Sequence, residues 1–420
     1  MGTAMGLDDL LATKDVVVCC GAGGVGKTTT AATLGALAAE RLGIKVLVIT
    51  VDPARRLANA LGLQSFGNTE TLVSGEVSAG RGELWAAMLD TKQSWDDLID
   101  SQAPDAATRD AILANPFYLN ITGRFVHSHD YVAMERLHDI HESGRYDLIV
   151  VDTPPSRNAI DFLEAPQRMA DFFSSRLLRW LTMPGRSRLL ARASRPFYTV
   201  ADRVLGSQVL EDLAEFFQLF QSMHAGFVER AEAVSRTLAD PSTTFVVVST
   251  LEAVPVREAE MFVDALSARD LHLGAIVLNK VLPDWFGDPA AADAARALRD
   301  RAPEIAAALG GRVGEPAQVA RVLAEVGDSF RNFRRVAQRE DDQRRVLGAR
   351  ADASAVGDGE DGHVVSVGDG ADGHAVTLAA VPYADHDICD LAGLLELGAS
   401  LWDGPTTPDA TPGATRGEDE

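Results

Sequence analysis

Cysteine is nearly absent: the chain has three in 420 residues, and no Cys-x-x-Cys pair occurs anywhere. A disulfide framework is therefore excluded, and a cysteine-ligated zinc is not expected. Cys19 and Cys20 are adjacent in an apolar run, where strand neighbours point to opposite faces, so they suit a reducing compartment. Positive charge is also short. Thirty-nine Lys and Arg stand against 61 Asp and Glu, and the resulting formal charge of −22 repels phosphate backbones, so nucleic acid is not an expected partner. The first fourteen residues carry Asp8, Asp9 and a single base, Lys14, with no apolar stretch long enough for a signal peptide or a spanning helix. A cytoplasmic protein is expected.

Against these shortages stand 46% hydrophobic and 24% charged residues, enough to bury a large core in one big or two ordinary domains. Short β-branched runs bounded by Gly, Asp or Pro recur at Val16–Cys20, Val46–Val51, Leu84–Leu89, Leu148–Val151, Thr244–Thr250, Ala275–Leu278 and Val376–Val381. Several are apolar without alternation, as strands covered on both faces of a parallel sheet are. Helix-period segments separate them, the clearest being Thr28–Leu42, closed by Gly43. The pattern predicts an α/β fold with an open, mainly parallel sheet.

About residues 162–240 the pattern is helical and rich in Phe and Leu, so an inserted helical subdomain is expected there. A second helical block runs from Pro289 to about Arg350, with Glu315–Leu347 as one long charged helix packed on the outside. Residues from about 351 to 374 hold the near-repeat Val356–His363 and Val367–His374, an acidic Gly/Asp-rich stretch whose spacing does not fit a calcium loop and reads as a solvated linker. Residues 404–420, full of Pro, Thr and Gly, read as a disordered tail. Residues 13–403 are expected to form a single domain.

The chemistry begins at Gly21-Ala-Gly-Gly-Val-Gly26-Lys27-Thr28, a G-x-x-x-x-G-K-[ST] phosphate loop between a predicted strand and a predicted helix. Its glycines let backbone N–H groups turn inward on phosphates at a helix N-terminus. Lys27 supplies a point charge for the β- and γ-phosphates, and Thr28 offers a hydroxyl to Mg²⁺. Asp152 ends the run Leu148–Asp152, where a Walker-B aspartate holds the metal through water, and Asp52 ends Val46–Asp52 before Pro53. Both belong to the ligand-binding edge of an open α/β sheet. Alone, either aspartate could be a helix cap. With the phosphate loop, the functional reading is preferred.

Gly23-Gly-Val-Gly-Lys-Thr-Thr29, Thr50-Val-Asp-Pro-Ala54 and Val151-Asp-Thr-Pro-Pro-Ser156 resemble the phosphate loop, switch I and switch II of the ArsA family of P-loop ATPases. This deviant Walker A group includes the arsenite-pump ATPase and the tail-anchored-protein targeting ATPase. The sequence after Asp152 looks like its actinobacterial branch. The resemblance implies a Mg²⁺-dependent ATPase in which Gly23, Gly24, Val25, Gly26, Lys27, Thr28 and Thr29 hold the phosphates. It further implies that Asp52 positions or deprotonates the attacking water, that Asn279 hydrogen-bonds the adenine, and that Pro382 lines the adenine pocket. ATP is favoured over GTP independently, because a guanine-reading Asn-Lys-x-Asp needs Asp at position 282, where the chain has Leu282.

The resemblance also implies a dimer that couples hydrolysis to opening and closing of the helical insert around a hydrophobic client or membrane protein. Most members carry a second lysine in the loop that reaches the partner's phosphates, and Ala22 stands in its place here. A paralogous subunit could supply that lysine, a local arginine (Arg55, Arg56 or Arg157) could substitute, or the chain could be a nucleotide-gated regulatory subunit with little hydrolysis of its own. The cysteines match neither the intersubunit zinc nor the arsenite site of relatives. Phe172–Ala201 holds six arginines and no acid. That segment reads either as a face for lipid headgroups or an acidic partner, or as packed helices with arginines snorkelling outward.

Overall fold

The computed structural model describes residues 7–51, 56–63, 67–73, 82–121, 128–154, 164–168, 171, 212, 215–220, 222–309, 313–355, 376–384 and 386–403. In chain order the strands are β1 (Val16–Cys20), β2 (Lys45–Thr50), β3 (Thr71–Leu72), β4 (Glu83–Met88), β5 (Leu148–Asp152), β6 (Thr243–Ser249), β7 (Leu273–Val281) and β8 (Thr377–Pro382). They form one sheet in the order β3-β4-β2-β5-β1-β6-β7-β8, parallel throughout except for the antiparallel pair β3 and β4 at one edge. The mainly parallel α/β expectation is met. β1, β5 and β6 are buried along their whole length, as continuous Val and Ile runs under two helical layers must be.

The helices before β5 are α1 (Leu7–Thr13), α2 (Lys27–Leu37), α3 (Arg56–Ala60), α4 (Thr91–Gln102), α5 (Ala106–Ala114), α6 (Pro116–Ile121) and α7 (Ser128–Glu142). After β5 come α8 (His224–Ala239), α9 (Ala253–Ser267), α10 (Pro289–Asp300), α11 (Ala302–Ala308), α12 (Pro316–Ala355) and α13 (Leu391–Asp403). One face of the sheet packs on α1, α2, α3 and α13 through residues such as Leu10, Leu34, Leu57 and Leu394. The other packs on α7, α8, α9 and the end of α12 through Leu137, Leu238, Phe262 and Leu347. A third cluster, away from the sheet, joins Trp95, Tyr118, Tyr131, Phe216, Phe220 and Phe227. It gathers aromatics of α4, α6, α7 and α8 with residues 215–220, at the root of the expected insert.

Three boundaries differ from expectation by more than two residues. The predicted helix Thr28–Leu42 is α-helical only to Leu37, and Ala38–Leu42 form one π-helical turn that Gly43 closes at φ 69°. β7 runs on to Val281, where the sequence suggests a strand ending at Leu278. The long outer helix α12 continues through residues 351–355, into the stretch read as linker, because Ala351 is buried against the sheet-covering core. Residues 172–211, most of the expected insert including its arginine-rich segment, lie outside the described residues, as do the rest of the linker and the tail. Among the described residues no helix is long and apolar enough to cross a membrane.

Candidate functional site

The carboxyl ends of β1, β2 and β5 converge because the parallel register places Asp152 beside Cys19 on one side and Thr50 on the other. Asp152 is completely buried. Its Oδ2 accepts from Thr28 Oγ1 at 2.8 Å and from Thr50 Oγ1 at 2.8 Å. A fully buried carboxylate is tolerated only when strong donors face it, and two hydroxyls supply this to Oδ2. Thr50 belongs to this cluster only through strand register; Thr28 and Asp152 were expected in it. The next residue, Thr153, ties the β5 end back to β1, its N–H and hydroxyl both donating to the Cys19 carbonyl.

The phosphate loop links β1 to α2 as its motif requires. Gly21 and Gly26 sit at φ 148° and φ 97°, in the region that favours glycine. A Cβ on Gly21 would fall 2.1 Å from the Val248 carbonyl oxygen, and one on Gly26 would fall 2.1 Å from Asn279 Nδ2. The loop therefore lies flush against β6 and β7, and its α2 N-terminus has no side-chain cap. Uncapped N–H groups at such an end are a natural seat for an anion. Lys27 is 94% buried by its 6% exposure, and its Nζ donates to the Ala22 carbonyl at 2.8 Å, folding the side chain over the loop. Ala22 itself packs into the apolar cluster beneath.

Beside the loop opens a cleft of about 290 Å³. Gly24, Gly26, Lys27, Thr28 and Thr29 line one side, Arg56, Asn59 and Ala60 of α3 another, with Thr153 and Ile388 completing it. Of the expected phosphate-binding residues, Gly23 is exposed at the loop's tip and Val25 is buried under it. The donor set next to the cleft is two hydroxyls and one carboxylate, all hard oxygen ligands, and it suits Mg²⁺ bound through water and phosphate. Beneath it, burial pushes the Cys19 thiol well above its usual range, and Asp152 adds to the effect. Burial does the same to Cys20. Both are held as inert thiols.

Asp52, expected to act on the attacking water, lies outside the described residues, with Arg55 and Arg157. Pro382 ends β8 half-buried beside Val281, and the neighbouring Tyr383 N–H donates to the Val281 carbonyl at 3.0 Å. Asn279 holds a position that the sequence does not disclose. The pairing of β7 with β8 shifts between Leu278 and Val281, and Lys280 takes φ 59°, so the strand bulges at Asn279. The bulge turns the Asn279 amide onto the phosphate loop, where Nδ2 donates to the Val25 carbonyl at 2.8 Å, while Oδ1 accepts from the Lys280 N–H at 2.9 Å. Asn279 thus braces the loop from β7.

Removing that brace has a measurable consequence. Asn279→Ala is expected to weaken binding of both ATP and plain tripolyphosphate by roughly 2- to 10-fold, the loss of one hydrogen bond of about 0.5–1.5 kcal/mol. Equal tripolyphosphate affinity in the variant and the parent would show that the brace does not matter for the loop.

The family described as anion-transporting ATPase matches the chain over residues 14–301. Among individual proteins the chain resembles the ATPase ASNA1 homolog of Cryptosporidium parvum, 27% identical over 263 residues, which cover 62% of this chain and 64% of that one. It resembles the ATPase GET3 of Malassezia globosa at 26% identity over 63% of this chain and 72% of that one. The ATPase GET3 of Mycosarcoma maydis is 30% identical, over 62% of this chain and 71% of that one. With the phosphate loop in place between β1 and α2, and the matched region spanning the sheet from β1 to β7, the chain belongs to the ArsA-type anion-transporting ATPase family.

Proposed function

We propose that this chain binds Mg-ATP at the carboxyl edge of β1, β2 and β5 and hydrolyses it to ADP and phosphate. One observation carries the reading: Thr28 and Thr50 converge on the buried Asp152 directly beside the loop that Lys27 closes. In this reading the glycine-rich loop from Gly23 to Thr29 wraps the phosphates and Lys27 turns from the Ala22 carbonyl to the β- and γ-phosphates. Thr28 and, through water, Asp152 hold Mg²⁺, which when bound neutralises phosphate charge as it develops. Asp52 orients the attacking water, while Asn279 and Pro382 border the adenine. Calorimetric titration tests the specificity: Mg-ATP is expected to bind at least about 10-fold tighter than Mg-GTP, the value of one well-placed polar contact near 1.4 kcal/mol. Equal affinities would sink the adenine assignment.

The coupling proposed for the hydrolytic cycle follows chain connectivity. The expected insert leaves the sheet just after Asp152-Thr153-Pro154 and returns through α8 into β6, which pairs with the phosphate-loop strand β1. A change in what Asp152 holds therefore reaches both ends of the insert. We propose that nucleotide state opens and closes it around a hydrophobic or membrane-protein client, across a dimer with a second copy or a paralog in the cytoplasm. The aromatic cluster of Trp95, Tyr118, Phe216 and Phe220 at its root supports a rigid base for such movement.

Ala22 favours a second reading, a nucleotide-gated subunit that hydrolyses little and relies on an active paralog. Ala22→Lys separates the two. If the chain completes its own site, turnover changes by no more than about 3-fold; if only the missing charge limits it, turnover rises by about 10-fold or more, the scale on which an added phosphate-directed cation acts. The expected result is the smaller change, measured as phosphate release with the melting temperature as a check on folding.

A further inference from the structure

We infer that Arg56 is a catalytic residue of this chain, a cation supplied from its own α3 that contacts the transferring phosphoryl group where the loop offers only Ala22. The inference rests on the ATPase reading of the same cleft. The side chains that line the cleft include two cations among the described residues, Lys27 from the loop and Arg56 from α3. Ala22 adds none, since its side chain is buried in the apolar cluster under the loop. A triphosphate in a chain of net charge −22 needs local positive charge on more than one side, and the cleft has it at these two places.

The backbone is suited to the role. Arg56 opens α3, and Leu57 and Ala58, which follow it, are 0% and 2% exposed. These two residues pin the first turn of α3 to the core, while the Arg56 side chain stays exposed on the cleft, long enough to swing toward a phosphate. Leu57 thereby fixes where the guanidinium starts from. A guanidinium carries its charge at every working pH and presents planar paired donors, so it matches two phosphoryl oxygens at once.

Its place in the reaction is electrostatic. The bond from the β,γ-bridging oxygen to the γ-phosphorus breaks, and its electron pair leaves with ADP. The water oxygen bonds to phosphorus, and the proton that water gives up is released as phosphate forms. Arg56 takes no proton and makes no covalent bond; it stabilises the negative charge gathered on the equatorial and bridging oxygens during transfer. Its contribution is therefore largest in the transition state and small in the ATP and ADP complexes.

The test uses the whole chain with Arg56→Ala and Arg56→Lys, measuring phosphate release, ADP affinity, formation of the ADP–aluminium fluoride complex and the melting temperature. The parent is expected to turn over ATP without any other subunit. Arg56→Ala is expected to lower kcat by about 10²- to 10³-fold, at or below the lower edge of what such an arginine contributes in related chemistry. KM for ATP and ADP affinity should stay within about 3-fold, because the contact is made in the transition state. The aluminium fluoride complex should fail to form in Arg56→Ala and form in part in Arg56→Lys. An unchanged kcat in Arg56→Ala overturns the inference. So does a fall in ADP affinity or melting temperature that matches the fall in kcat/KM, since that marks a binding or structural arginine. A parent that binds ATP without turning it over overturns the inference and leaves the nucleotide site standing, whereas a parent that binds no ATP overturns the ATPase reading first and the inference with it.

Discussion

Lys27→Ala abolishes measurable ATP turnover, with phosphate release falling by at least about 10²- to 10³-fold, the scale of losing one preorganised donor to developing charge in a water-poor site. The loss follows from where the side chain sits. Lys27 is buried and its Nζ is already folded over the loop at the Ala22 carbonyl, so the charge is prepaid and positioned before any nucleotide arrives. ATP affinity falls too, because the loop then offers the β- and γ-phosphates no cation of its own. The fold is expected to persist, because an alanine keeps the helix propensity of the first turn of α2. Phosphate release and ATP titration on the parent and the variant, with matching circular dichroism, check it. Residual turnover equal to the parent's would mean that the hydrolysis observed belongs to a contaminant or to another site.

Asp152→Asn shows the second large effect, and the choice of asparagine isolates charge from shape. The amide oxygen can accept from Thr28 and Thr50 as Oδ2 does now, so both hydroxyls keep a partner and the melting temperature is expected to move by no more than a few degrees, about 1 kcal/mol in a chain of this size. The lost negative charge acts on the metal instead. The Mg²⁺ concentration giving half-maximal turnover is expected to rise by about 10- to 100-fold, the usual penalty for removing a group that orients a metal's water shell. Asp152→Ala behaves differently, since it also leaves the two threonine hydroxyls facing an apolar gap at a fully buried position, and a loss of about 1–3 kcal/mol of stability is added. A Mg²⁺ requirement unchanged in Asp152→Asn would assign Asp152 to the fold alone.

Much of this site was legible before any coordinates. The strands at Val16–Cys20 and Leu148–Asp152 are continuous apolar runs, and such runs reveal themselves because both faces are covered and no polar alternation is tolerated. The phosphate loop is legible because its chemistry is local: glycine, lysine and threonine must follow one another to turn successive backbone N–H groups toward one anion. The short antiparallel β3 was not legible, since Thr71 and Leu72 have no period of their own and become a strand only by pairing with Trp85 and Ala86. The end of α2 was misread for a related reason. Ala38–Leu42 differ little in helix propensity from the turns before them, and the π-helical turn packs against α1, β2 and β4, contacts that no local pattern discloses.

The amino-acid sequence by itself determined that this chain is a mainly parallel α/β protein with a phosphate loop after its first strand and an aspartate, Asp152, at the end of another. Those properties are written in contiguous residues, through burial pattern and local turn chemistry. Only the tertiary structure decided which residues complete the cleft. Thr50 reaches Asp152 through the register of β2 on β5, Asn279 reaches the loop through a bulge 254 residues further along the chain, and Arg56 lines the cleft because Leu57 is buried. Register, bulge and helix placement are set by contacts between segments far apart in sequence, and no local pattern of residues encodes them.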